Sequence, residues 1–400
     1  MATGTMTPEE SLALIKANLS EVLNPEIIDD VVLKEKRPLR VYWGTAPTGR
    51  PHCGYFVPMI KIAELLHAGC HVQILLADLH AYLDNMKSTL ELVEYRAKYY
   101  EAMIKSLLKA VGVDISQLHF VLGSTYQRTG DYFLDTLKLC APTTISNAQR
   151  AGAEVVKQTD NPCLGGLIYP LMQALDEEYL KVDAQFGGVD QRKIFTCALE
   201  NLPRVGYRVR AHLMNPMVPG LGTGEKMSAS DPNSKIDLLD SPDVIDKKLK
   251  KAICVPQQVE GNGVLAFLEH VIFRALNLKN KGDVKFVVKR RDAEPLEYTD
   301  IETLKKDYAN DVLTPQLLKP ALTRELDQLL APVQAEFKES AEWQEIEKKA
   351  YPPAEPEQKK VKQKKDKGDP AKREAARLAR QAQLAVDTVK EGVDKIEVKN

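Results

Sequence analysis

The chain has 400 residues, 44% hydrophobic and 28% charged, which suits a globular protein of about two domains and excludes a fibrous or wholly disordered one. No stretch approaches the roughly 20 consecutive apolar residues of a membrane helix, and Glu9, Glu10, Glu21, Glu26, Asp29 and Asp30 argue against a leader peptide, so a cytoplasmic protein without membrane contact is expected. The formal net charge of -1 hides a segregation: residues 359–380 hold ten Lys or Arg against three Asp or Glu, a balance of +7 that leaves -8 on the remainder.

Thr7-Pro8-Glu9-Glu10 places an N-cap, a first-turn proline and a capping-box glutamate before Leu12, Ile15, Leu19 and Val22 at helical spacing, so the chain is expected to open with a helix. Residues 40–44 read as a strand entering a Gly/Pro/Thr loop, and residues 54–68 as a helix stopped by Gly69. A buried strand follows at 72–77, then a long helix at 88–111, a strand at 119–122, a helix at 167–180, a short strand at 183–186 and a helix from Asp190. Strands alternating with helices predict an α/β fold with a doubly wound, Rossmann-like parallel sheet.

Beyond about residue 235 helical segments dominate, at 244–252, 263–276, 301–310 and 315–330. The expected organisation is an α/β domain over 1–235, a mostly helical domain over 236–350, and a linker with a basic extension over 351–400. Asp369-Pro370 would cap a short helix in that extension, and its positive charge suits a polyanion partner. The six cysteines are scattered with no Cys-x-x-Cys pair, so they are expected as reduced thiols, with no protein metal site.

The segment from Gly44 through Thr48, His52 and Gly54 to Tyr55 lies between the first strand and the next helix, the ligand end of such a sheet. Small residues let backbone approach phosphates, Thr48 and His52 offer donors, and the helix start favours an anion. Neither a Walker loop nor Gly-x-Gly-x-x-Gly is present. A second segment, Gly220 to Ser230, has glycine at every second position at first and carries Lys226 and Ser228, which suits a mobile loop bringing a cation to phosphate.

His52-Cys53-Gly54-Tyr55 and Lys226-Met227-Ser228-Ala229-Ser230, in that order, resemble the two signature motifs of the class I aminoacyl-tRNA synthetases. Tyr169 to Asp176, Phe186 to Gln191, Ala77 to Asn85 and Ala153 to Gln158 resemble the tyrosine-specific members in their eukaryotic cytoplasmic form, over about residues 8–340. The resemblance implies a ligase that makes tyrosyl-adenylate from tyrosine and ATP and passes tyrosine to the 3′ end of tRNA(Tyr). ATP with magnesium would be a substrate, with no tightly bound cofactor, and the chain would work as a homodimer.

Carried over, Tyr42 and Asp176 would bind the substrate phenol, and Tyr169, Gln173 and Gln191 its ammonium and carboxylate ends. A phenol both donates and accepts, so a hydroxyl and a carboxylate together satisfy it, while phenylalanine would leave both unpaired. Positions 169, 173 and 176 share one helix face. Thr48 and His52 would act on the α-phosphate and Lys226 on pyrophosphate. Gly44, Gly54, Gly188, Asp190, Val218 and Ser228 complete the implied ATP site, and Asp78 is a further candidate for the ammonium.

Ala229 stands where many class I enzymes have a second lysine, so some charge stabilisation must come from elsewhere. The stretch from Leu313 to Lys319 lacks the His and Asp of the relatives' anticodon pattern, and the base-reading residues are left unassigned. The basic run 247–251 suits phosphate contact, nuclear import or a solvated helix face. Three other readings stay open: a tryptophan-specific enzyme, which would not need Asp176 facing a phenol; a catalytically silent RNA-binding paralogue; and a small nucleotidyltransferase, which would leave the helical region unexplained.

Overall fold

The computed structural model describes residues 6–84, 88–115, 118–156, 162–220, 235–280 and 282–353. Lys226, Ser228, Ala229, the helix expected after Asp369 and the basic tail lie outside them. The chain forms two compact units, Met1–Pro352 and Pro353–Asn400, and no division falls near residue 235.

The first unit is built on a six-stranded sheet. Its strands are β1 (Glu21–Leu23), β2 (Arg40–Thr45), β3 (His71–Leu76), β4 (His119–Leu122), β5 (Ala184–Gly188) and β6 (Ala211–Asn215), in the order β1-β6-β5-β2-β3-β4. All neighbours are parallel except β1 and β6. From β2 the chain order runs outward through β3 and β4 on one side and through β5 and β6 on the other, with β1 at the edge, so the strand order reverses between β2 and β5, which is where such a sheet leaves a crevice at its carboxyl ends. The expected doubly wound sheet is present.

Helix α1 (Pro8–Lys16) has the predicted capping box, with the Thr7 hydroxyl accepting from Glu10 N–H and the Glu10 carboxylate accepting from Thr7 N–H. It is shorter than expected. Asn18 takes a left-handed φ of 59° and breaks the helix, and Val22 falls in β1 rather than on a helical face. Helix α2 (Phe56–His67) is apolar nearly all round because it is buried under the sheet, and Gly69 at φ 81° ends it as expected.

Helices α3 (Leu90–Ala110), α4 (Gly130–Cys140), α5 (Leu164–Tyr179) and α6 (Arg192–Asn201) complete the layers. The helical segments expected after residue 235 are present, including α7 (Pro242–Lys251) and α8 (Pro315–Glu339), and two elements were not anticipated. These are the hairpin of Phe286–Val288 with Leu296–Tyr298 and the last helix among the described residues, α9 (Ala341–Ala350). Side chains of α7 and α8, among them Ile245, Leu249, Leu322 and Leu326, join the same core as Val41, Ile60 and Val72 of the sheet layers, which is why the two regions form one unit.

Candidate active site

The carboxyl ends of β2 and β5 open into a cavity of about 380 Å³. Tyr42, Gly44, Thr48, Tyr169, Gln173, Asp176, Gly188, Asp190 and Gln191 all line it. A second cavity of about 320 Å³ is lined by His52, Gly54 and Val218, with Gly188 and Asp190 shared between the two. Apart from Asp78, the fold thus brings together the predicted site residues among those described, split into the two groups assigned to the amino acid and the nucleotide, with Thr48 and Gly44 on the first side.

Asp176 lies at the closed end of the first cavity and is fully buried. Its Oδ1 accepts from Gln127 Nε2 at 2.8 Å and Tyr132 Oη at 2.9 Å, while Oδ2 has no hydrogen-bond partner among the described residues. The nearest cation-capable group, His80 Nε2, is 3.9 Å from Oδ2, and burial pushes the His80 pKa down to about 4, so the ring is neutral. Burial also pushes the Asp176 carboxyl up to about 7, against the side chains of Gln127, Tyr126 and Tyr132, which favour its ionised form. A carboxylate held by one oxygen with the other unsatisfied is a preset acceptor for a ligand hydroxyl.

Tyr42, on β2, is also buried, and its hydroxyl donates to the Gln173 carbonyl at 3.3 Å rather than to Asp176. Burial, then the neighbouring Asp176 charge, hold its phenol well above the usual range, so it stays a neutral hydroxyl. Tyr169, Gln173 and Asp176 project from one face of α5 as the spacing predicts. Gln173 Nε2 donates to Gln191 Oε1 at 3.1 Å, which links the two amides expected at the polar end of the amino acid. Among the described lining residues there are three carboxylates, Asp84, Asp176 and Asp190, and no Lys or Arg, a setting that favours an ammonium group.

Asp78 is not part of this cavity. Its Oδ1 accepts from the Ser124 backbone N–H at 2.8 Å, and the lining carboxylate on the neighbouring turn is Asp84. Sequence reasoning also missed Gln127, Tyr132, His80 and Gln185. His80 meets the Tyr169 ring edge-on at 4.6 Å, and Gln185 Oε1 is buried beside the cavity without a partner among the described residues. Position after β4, at the same carboxyl end of the sheet, was the available signal for Gln127 and Tyr132.

In the second cavity, His52 caps the turn Cys53–Tyr55. Its Nδ1 accepts from Gly54 N–H at 3.1 Å, which assigns the proton to Nε2. The chain at Ile236 and Asp237 is fastened to this motif: Cys53 N–H donates to the Ile236 carbonyl at 3.0 Å, and His52 pairs with Asp237 as an isolated antiparallel bridge. The segment that leaves the Lys226 motif is therefore anchored on the His52 motif.

Residues 34–331 match the family described as tRNA synthetases class I (W and Y). The cytoplasmic tyrosine–tRNA ligase of Saccharomyces cerevisiae is 54% identical over 371 residues, covering 92% of this chain and 94% of that one. The cytoplasmic tyrosine–tRNA ligase of Xenopus tropicalis is 53% identical over 87% of this chain, which spans 64% of that protein's length. Tyrosyl-tRNA synthetase of Archaeoglobus fulgidus, solved in complex with L-tyrosine, superposes with a TM-score of 0.74 at 38% identity, covering 82% of this chain and 99% of that one. With the sheet and the paired cavities described and both signature motifs present in the sequence, the chain belongs to the class I tRNA synthetases and, among them, to the tyrosine–tRNA ligases.

Proposed function

We propose that the chain activates L-tyrosine with ATP in the cytoplasm and transfers it to tRNA(Tyr), with the first cavity holding tyrosine and the second the adenosine. The observation that carries the specificity is the unsatisfied Asp176 Oδ2 at the closed end of the first cavity. A tyrosine phenol donates to it, while the Tyr42 hydroxyl, released from the Gln173 carbonyl, donates to the phenol oxygen. Tyr169, Gln173 and Gln191 hold the ammonium and carboxylate, which aims the carboxylate toward the junction of the cavities at Gly188 and Asp190.

The reaction is an in-line displacement. The tyrosine carboxylate oxygen forms a bond to the α-phosphorus as the bond to pyrophosphate breaks, and no protein nucleophile intervenes. Catalysis is positioning with charge stabilisation. Thr48 and the His52 Nε2–H donate to the α-phosphate; Lys226, with Ser228 on the same loop, neutralises the leaving pyrophosphate, and magnesium arrives with ATP as part of the substrate. In the second step the terminal ribose hydroxyl of tRNA takes the tyrosyl group and AMP departs.

Tyrosine-dependent exchange of labelled pyrophosphate into ATP, run beside tryptophan and phenylalanine without tRNA, tests this reading. Exchange with tyrosine alone is expected. Exchange with tryptophan would overturn the pocket assignment, and no exchange from the folded protein would overturn the activity.

The region 236–350 would serve the anticodon arm, and the basic extension would add sequence-independent phosphate contacts. Deleting residues 355–400 is expected to spare exchange yet raise the KM for tRNA, with the difference shrinking as salt rises, because counterion release weakens at high ionic strength. Identical tRNA kinetics for both chains across a salt series would remove the tail from recognition.

A homodimer is also supported by the surface. Phe133, Leu134 and Leu137 stand exposed on α4, and Ile145 and Leu164 are exposed at the starts of neighbouring helices. Such apolar exposure on helices next to one another marks an interface. Phe133→Glu combined with Leu137→Glu should halve the mass seen by sedimentation while leaving the far-ultraviolet circular dichroism unchanged. A dimer that persists would place the interface elsewhere.

A further inference from the structure

Behind the loop that carries Thr48 and His52, the end of α9 closes onto residues 49–50. The Gly49 carbonyl accepts two phenol hydroxyls, Tyr100 Oη at 2.6 Å and Tyr351 Oη at 2.9 Å, which uses both of its lone pairs. Arg50 pairs with Glu347 of α9, and its guanidinium lies 4.8 Å from the centre of the Tyr351 ring. Arg96 of α3 covers the same ring at 5.2 Å and donates from Nε to the Ala350 carbonyl at 3.1 Å. Tyr99 meets that ring edge-on at 5.2 Å.

The contacts continue inward. Tyr100 accepts from Tyr55 Oη at 3.4 Å, Tyr55 shares a 3.2 Å hydrogen bond with Thr45, and Tyr55 lines both cavities. Lys235 Nζ donates to the Arg50 carbonyl at 3.5 Å, so the segment following the second signature motif grips the same turn. A tyrosine that merely plugged the core at the end of a helix would need its ring alone. Here the hydroxyl completes the coordination of a carbonyl directly after Thr48, and the helix before it supplies the counter-ion for the next residue.

We propose that Tyr351 and Glu347 are positioning residues for the ATP step: they fix Gly49 and Arg50, and through them the placement of Thr48 and His52 against the triphosphate. The last helix of the unit is thereby part of the catalytic support, although it is far from the site in sequence. This inference rests on the assignment of ATP to the second cavity and its neighbouring loop.

The test uses the full chain with Tyr351→Phe, Tyr100→Phe, the double variant and Glu347→Gln. Tyr351→Phe keeps the ring against both guanidinium groups and deletes only the donor to Gly49. Pyrophosphate exchange is measured against ATP concentration, and the tyrosine Kd is measured separately by equilibrium binding. A single lost neutral hydrogen bond should lower kcat/KM for ATP about three- to tenfold. The double variant should lose more than the product of the single effects, because the carbonyl is then left without either phenol donor, while the tyrosine Kd stays within about twofold. Glu347→Gln should shift kcat/KM for ATP in the same direction. Unchanged ATP kinetics in the double variant would overturn the proposal, as would tyrosine affinity falling in step with ATP, which would indicate general loosening. Absence of exchange in the unaltered chain would instead overturn the assignment on which the proposal rests.

Discussion

Asp176→Asn is expected to lower kcat/KM for tyrosine about a hundredfold and to erase most of the preference for tyrosine over phenylalanine. The reason lies in the two donors on Oδ1, Gln127 and Tyr132. An asparagine must keep its carbonyl oxygen toward them, which forces its NH₂ to the place of Oδ2, where the substrate phenol needs an acceptor. The phenol proton is then left buried without a partner, and the loss of a charge-assisted hydrogen bond costs about 1.5–3 kcal/mol, with the unpaired hydroxyl adding to it. Steady-state exchange with both amino acids checks this, and a variant that retains its selectivity would remove Asp176 from phenol recognition.

The same carboxyl makes a pH prediction. Burial raises it from the ordinary value of 3.8 to about 7, so in the free enzyme it takes a proton as pH falls below neutrality. Tyrosine affinity should therefore strengthen between about pH 6 and pH 8 as the acceptor ionises, and Asp176→Asn should flatten that profile. Stability runs the other way. Because the folded state holds this proton more tightly than the unfolded chain, the contribution is full below about pH 4 and is lost as pH rises through about 7. The ionised form of the pocket, which the proposed function requires for tyrosine, is the less stable form of the fold.

His52→Ala is the second large effect: kcat for adenylate formation should drop about 10²- to 10³-fold, as when one donor is removed from a preorganised oxyanion site, while the tyrosine Kd stays near its original value. The Gly54 N–H to His52 Nδ1 hydrogen bond fixes the ring and commits Nε2 as the donor, so the interaction is aimed before ATP binds. His52→Gln, which can place an amide N–H near the Nε2 position, should recover part of the rate. Single-turnover measurements separate the two steps, and a matching loss of tyrosine affinity would show that His52 shapes the pocket rather than stabilising the phosphate.

Local chemistry made much of this legible in the sequence. The strands and helices around both signature motifs follow from apolar runs, Gly69 and the Thr7 cap, and α5 presents Tyr169, Gln173 and Asp176 as its period dictates. What was missed depends on partners distant in sequence. Strand β6 contains His212 and Asn215 and reads as polar, but His212 Nε2 meets Glu177 Oε1 at 2.7 Å with both side chains fully buried. Strand β1 looked like a helical continuation because Leu19 and Val22 fit the spacing, whereas pairing with β6 decided the outcome. Gln127 and Tyr132 lie more than forty residues before the carboxylate they hold, so no spacing rule connects them to Asp176.

Gly188 sits where the two cavities meet, and a Cβ there would stand 2.5 Å from Asp190 Oδ1. A side chain at this position would press on Asp190, which lines both cavities as well. On the proposed assignment of the cavities, joining tyrosine to adenosine across this junction turns two separate ligands into one that occupies both cavities at once, so the second half binds at the high effective concentration set by its tether to the first. Each substrate alone exchanges with solvent on the strength of one cavity, whereas the joined intermediate must leave both together. On the proposed assignment, retention of the activated amino acid until tRNA arrives follows from this shared doorway.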